Sequence, residues 1–129
     1  MSNEIKNVAA KPALVDAKEF AVAEDAAAES ENTFTLTFRK PFVYQGKTYK
    51  ELVFDWDRLT GKDGLAIENE MQQLGKPVIV PTFSGEYLIR MAARACLDTI
   101  GSDAFEAMPL AEYNRVRSAA RSFLLKSER

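Results

Sequence analysis

Two short runs in which large apolar residues alternate with polar ones, TFTLTF from Thr33 and LVFDW from Leu52, constrain this chain more than any other feature of it. Side chains of an extended strand point alternately to opposite faces, so Phe34, Leu36 and Phe38 share one face, as do Leu52, Phe54 and Trp56. Two half-buried strands are predicted, paired so that both apolar sets lie on the same side. Between them, RKPFVYQGKTYK contains Gly46, which can supply the positive φ of a tight turn. Turn length then fixes the register. A two-residue turn at Gln45-Gly46 sets Phe38 opposite Val53 and Leu36 opposite Asp55, sending the second apolar set to the wrong face. A three-residue loop, Tyr44 to Gly46, instead pairs Phe34 with Trp56, Leu36 with Phe54 and Phe38 with Leu52, and is the expected register. A bulge at Lys40-Pro41 is the other way to correct the parity. Pro41 lacks a donor and is expected on an edge or at a bulge.

After Trp56 the pattern changes to helical spacing. Thr60 followed by Asp63 approximates a capping box and opens a first helix running to Leu74, with Ile67, Met71 and Leu74 as its apolar stripe. Gly75 and Pro77 stop it. PVIVP, from Pro77 to Pro81, reads as a third strand or a buried connector. Ser84 is the N-cap of a second helix expected from Gly85 to about Ile100, with Phe83 stapled onto Leu88. The apolar set of that helix is wide enough to predict an exposed groove or self-association surface on the last two long helices. Gly101 ends it, a short turn reaches Met108, and Pro109 opens a last helix to about Lys126. The expected fold class is therefore α+β: a β-hairpin over about 33–57 followed by three to four α-helices.

Residues 9–31 are Ala-rich and acidic, with too few large apolar side chains for a core of their own. Residues 1–31 are accordingly expected to be a mobile arm, and residues 32–127 a single small domain. The arm sets three lysines against seven carboxylates, a balance of −4 that leaves +2 for the rest of a chain whose net charge is −2. Such a balance gives no overall attraction to nucleic acid or anionic membrane. The start of the sequence has no signal-peptide pattern, no run is long enough to span a bilayer, and the chain is expected to be cytosolic.

Chemistry finds little support in the sequence. There is no histidine and only one cysteine, Cys96, which lies within an apolar set and reads as a core thiol. Asp55 and Asp57 share the face opposite Leu52, Phe54 and Trp56 and read as a solvated pair. TGKDG, from Thr60, lacks the first glycine and the Lys-Ser/Thr ending of a phosphate loop. No catalytic, cofactor-binding or metal-ligating residues are expected. On the last helix Tyr113, Val116, Ala120, Phe123 and Leu124 recur at helical spacing, while Arg115, Arg117, Arg121, Lys126 and Arg129 make the remaining surface basic. Tyr113 and Phe123 are the candidate partner anchors. Arg117 and Arg121, one turn apart, are candidate selectors of acidic partner segments, and their charge reversal is expected to leave melting unchanged. Core packing is the plainer reading of the two aromatic residues.

The segments FTLTFRKPFVYQGKTYKELVFDWDRLTGKD and PTFSGEYLIRMAARA resemble the tail assembly chaperones of long-tailed bacteriophages and prophages over about Thr33 to Leu125. The similarity is carried by the Lys40-Pro41 and Gly46 turns and by the Leu59-Thr60-Gly61 joint with Asp63. The resemblance implies a non-enzymatic protein that binds the tape measure protein, keeps it soluble and helps recruit tail tube subunits. It also implies action in the host bacterial cytoplasm and absence from the mature virion. A nucleic-acid-binding regulator using the basic last helix and a structural tail component remain the alternatives.

Overall fold

The computed structural model describes residues 32–128; the arm expected over residues 1–31 lies outside them, as does Arg129. The architecture is α+β. Strands β1 (Thr33–Tyr44) and β2 (Lys47–Asp55) form an antiparallel hairpin, followed by helices α1 (Gly61–Gln73), α2 (Gly85–Ala95), α3 (Ser102–Ala107) and α4 (Leu110–Ser127). Single 3-10 turns, Trp56–Arg58 and Pro81–Phe83, lead into α1 and α2.

The register differs from the expected one. Gln45 and Gly46 both take positive φ, 50° and 77°, making a two-residue turn that pairs Tyr44 with Lys47. Parity is restored by an irregularity between Thr37 and Phe42, beyond which Phe34 faces Phe54 and Leu36 faces Leu52. The tight turn matches strand twist, and the bulge takes in Pro41, which cannot donate to a ladder. Two devices thus do what one longer loop was expected to do. The bulge is secured from α4. The Arg39 amide donates to Glu112 Oε2 at 3.3 Å, and Arg115 Nη1 donates to the Thr37 carbonyl at 3.2 Å. Glu112 is 2% exposed, so its carboxylate serves the bulge and not the solvent.

Gln45 occupies a left-handed conformation that asparagine or glycine adopts at lower cost. Gln45→Asn is expected to stabilise the domain by roughly 0.5–1 kcal/mol, read as a raised urea midpoint at unchanged slope.

The core lies between the apolar face of the hairpin and the helices. Leu36, Leu52, Phe54, Ile67, Leu88, Phe105 and Val116 are its largest fully buried side chains. α2 is the central element, packed against α1, α4 and the hairpin. Its Tyr87, Leu88, Ile89, Met91, Ala92 and Ala95 are all buried, so the surplus apolar surface expected on this helix is already covered. α2 also stops at Ala95, short of the expected Ile100. Cys96 turns extended and bridges Phe54, the Leu97 amide donates to the Val53 carbonyl at 2.9 Å, and Arg58 Nη1 donates to the Cys96 carbonyl at 3.1 Å. Pairing with the free edge of β2 supplies hydrogen bonds that further helical turns would have supplied.

The starts of α1 and α2 lie where Thr60 and Ser84 were expected to cap them. Ser84 Oγ accepts from the Tyr87 amide at 3.1 Å, and Asp63 Oδ2 accepts from the Thr60 amide at 2.8 Å. Leu74, however, is 54% exposed and leaves Ile67 and Met71 as the buried stripe of α1. Polar side chains join α1 to α2. Arg94 pairs with Asp63 at 2.9 Å and Glu70 at 3.0 Å, while Arg90 bridges Glu70 and Glu86 at 3.1 and 3.0 Å. The Thr60 amide, followed by Arg94 and the Thr60 hydroxyl, holds the Asp63 carboxyl below the usual carboxylate range. A depressed folded-state pKa gives stability that is present above the unfolded value and lost as pH falls through the folded one. Asp63→Asn is therefore expected to flatten acid destabilisation in that lower window, measured by urea melts across pH.

Candidate interaction surface

Helix α4 presents Tyr113, Arg117 and Arg121 along one line, at intervals of one turn. That line faces the start of α2 and the turn before it. A Cβ added at Gly85 would meet Tyr113 Oη at 2.7 Å and Arg117 Cδ at 3.8 Å, so both side chains lie over the first turn of α2. The Arg117 guanidinium sits 5.9 Å from the Tyr113 ring centroid, and its Nε is buried without a hydrogen-bond partner. Arg121 Nε donates to the Thr82 carbonyl at 2.8 Å. Neither arginine has a carboxylate partner among the described residues. Phe123 lies apart from this line. It stacks on Trp56 with centroids 5.6 Å apart, which is core packing for a half-buried ring. The four candidate partner residues therefore divide into a row of three beside α2 and one aromatic on the hairpin side.

The structure changes the role of Arg121. Tied to a backbone carbonyl, it links the Pro81–Phe83 turn to α4, so its charge reversal is expected to lower melting as well as remove a cation.

The residues sequence reasoning missed lie on that turn and the connector before it. The run from Pro77 to Pro81 is neither a strand nor buried. The chain bends at Ile79, which is 90% exposed, and Val80 is 44% exposed. Phe83 does not staple onto Leu88; it is 79% exposed, while Thr82 beside it is buried. The 3-10 turn points Thr82 inward toward Arg121 and turns Phe83 out. The result is an apolar ridge of Ile79, Val80 and Phe83, with two hollows beside it. One, about 310 Å³, is lined by Pro77, Val78, Ile79, Val80, Phe83 and Ser84. The other, about 280 Å³, runs to Glu68 and Gln72 on α1. Isolated exposed apolar residues are ordinary, but three large ones on one short segment make a patch.

A larger cleft of about 450 Å³ lies between α2, α3 and the start of α4, where Lys76, Glu86, Glu106 and Tyr113 meet Ile89, Phe105, Met108 and Leu110. Lys76 and Glu86 pair there at 3.6 Å.

Asp55 and Asp57 hold local structure. Asp55 Oδ1 accepts from the Asp57 amide at 3.1 Å, capping the 3-10 turn, and Asp57 Oδ2 accepts from Asn32 Nδ2 at 3.1 Å. The Cys96 thiol is buried, and that burial pushes its pKa up to about 11, leaving little thiolate at neutral pH. Among the described residues no cluster of three or more potential metal ligands occurs, and no helix is long and apolar enough to cross a membrane. No protein-family model, curated protein or solved structure matches this chain.

Proposed function

We propose that this chain is a non-enzymatic tail assembly chaperone that binds a phage tape measure protein, keeps it soluble and helps recruit tail tube subunits. On this reading it acts in the host bacterial cytoplasm and leaves before the virion is complete. The observation that supports it is the exposed apolar ridge of Ile79, Val80 and Phe83, three large apolar side chains on one short segment. A long helical protein with apolar stripes aggregates unless another surface covers those stripes, and an exposed ridge with hollows beside it is such a surface.

Co-expression tests the proposal. With this chain present, the tape measure protein of the same gene cluster is expected in the soluble fraction and bound to it, and without it in the pellet. Purified particles are expected to lack the chain. Its retention in particles would favour a structural tail component, and salt-sensitive DNA binding with no effect on tape measure solubility would favour a regulator.

A further inference from the structure

The apolar ridge and the row of arginines belong to one surface. Arg121 donates to the carbonyl of Thr82, the residue before exposed Phe83, and Arg117 lies over Gly85, two residues beyond it. From Ile79 to Arg117 the surface therefore passes from apolar to cationic within one turn and the start of one helix. The cationic side holds two guanidinium groups that no carboxylate of the described residues neutralises. Glu68 and Gln72 line a hollow with Ile79 at the start of the ridge. The remaining nearby charges, Lys76, Glu86 and Arg90, are paired with one another or with Glu70.

We propose that this surface binds an amphipathic helical segment of a partner chain whose apolar stripe carries Asp or Glu along one edge. Resting on the chaperone reading, the proposal names the chemistry by which segments of the tape measure protein are chosen. Ile79 and Phe83 insert between apolar side chains of the segment, which the neighbouring hollows receive in turn. Arg117 and Arg121 face the acidic edge of the segment. An unpaired guanidinium already held in place loses little freedom on meeting a carboxylate, which favours acidic over neutral segments.

The test uses the full chain, the intact tape measure protein, and two synthetic amphipathic helical peptides with the same apolar stripe, one edged with Glu and one with Gln. The Glu-edged peptide is expected to bind several-fold more tightly at low salt, and the difference to shrink as salt is added. Ile79→Ser with Phe83→Ser is expected to weaken both peptides by roughly tenfold or more at unchanged melting temperature, because both side chains are exposed. Arg117→Gln is expected to reduce the preference for the Glu-edged peptide while leaving the Gln-edged one nearly untouched, a coupling that a merely structural role would not produce.

Equal binding of both peptides, or binding unchanged by the double serine variant, overturns the proposal. Loss of self-association in that variant without loss of peptide binding assigns the ridge to a second copy of the chain instead. Competition by a peptide of residues 1–31 that matches the best partner segment assigns it to the chain's own acidic residues. The two readings fail separately. If the serine variant still solubilises the tape measure protein, the chaperone reading stands and this surface falls. If the Glu-edged peptide binds as expected but the tape measure protein is not solubilised, the surface chemistry stands and the tail reading falls.

Discussion

Phe54→Ala is expected to destabilise the domain by about 3–5 kcal/mol, the range for deleting a fully buried aromatic side chain. Phe54 is 0% exposed, and three aromatic rings surround it: Phe34 at 6.0 Å, Trp56 at 5.7 Å and Phe105 at 5.9 Å between centroids. Its backbone also bridges Cys96, so one residue joins β1, the following 3-10 turn, α3 and the end of α2. No single neighbour can fill the space without leaving its own contacts, because each ring is held from another element. A small domain has about 5–15 kcal/mol of total stability, so the variant should be largely unfolded well below the wild-type midpoint. Phe54→Leu, which keeps most of the volume, should cost less than half as much. Equal effects from the two substitutions in urea melts would show that the site relaxes freely and that Phe54 is not the hub.

The hairpin was legible because alternation is a property of short stretches, and burial of one face is enough to enforce it. Its register was not legible. Two devices correct the same parity, and the bulge that is used is held from a distance, by Glu112, more than seventy residues beyond it, accepting from the Arg39 amide. A glutamate on a helix gives no sign in the sequence that its carboxylate will be buried against a distant strand. Helix starts were readable from Ser84 and from the Thr60–Asp63 pair because capping is local, whereas the early end of α2 was not, since the bridge to β2 is not local. The apolar ridge was hidden for a different reason. Val78, Ile79 and Val80 have the composition of a buried strand, and composition carries no information about which side of a connector faces water. The available signal was the pair of prolines bracketing three β-branched residues, which blocks helix and ladder alike and leaves a short segment little means of burying itself.

Arg121→Glu is expected to lower stability by about 2–3 kcal/mol, the magnitude of a charge-assisted hydrogen bond lost from a part-buried acceptor. Arg121 Nε approaches the Thr82 carbonyl at 2.8 Å, and Thr82 itself is buried, so water replaces the donor poorly. The new carboxylate cannot donate, and it faces the negative end of that carbonyl dipole. The Pro81–Phe83 turn has its own closing bonds, Phe83 amide to Val80 carbonyl at 3.0 Å and Ser84 amide to Pro81 carbonyl at 3.1 Å, which keep its shape but do not fasten it to α4. The variant should therefore release the turn and its ridge from α4 before the core opens. Hydrogen exchange should show this as faster exchange at Phe83 and Ser84 with little change at Leu88 or Ala92. Arg121→Lys, which keeps the charge and can still reach a single acceptor, should recover most of the loss. For partner binding, the consequence is that reversal at Arg121 removes a cation and displaces the apolar residues beside it, so its effect cannot be read as charge alone; Arg117→Gln, which breaks no hydrogen bond of this turn, isolates the charge. Unchanged melting and exchange in Arg121→Glu would mean that the turn is held by its own bonds and the apolar packing beneath it.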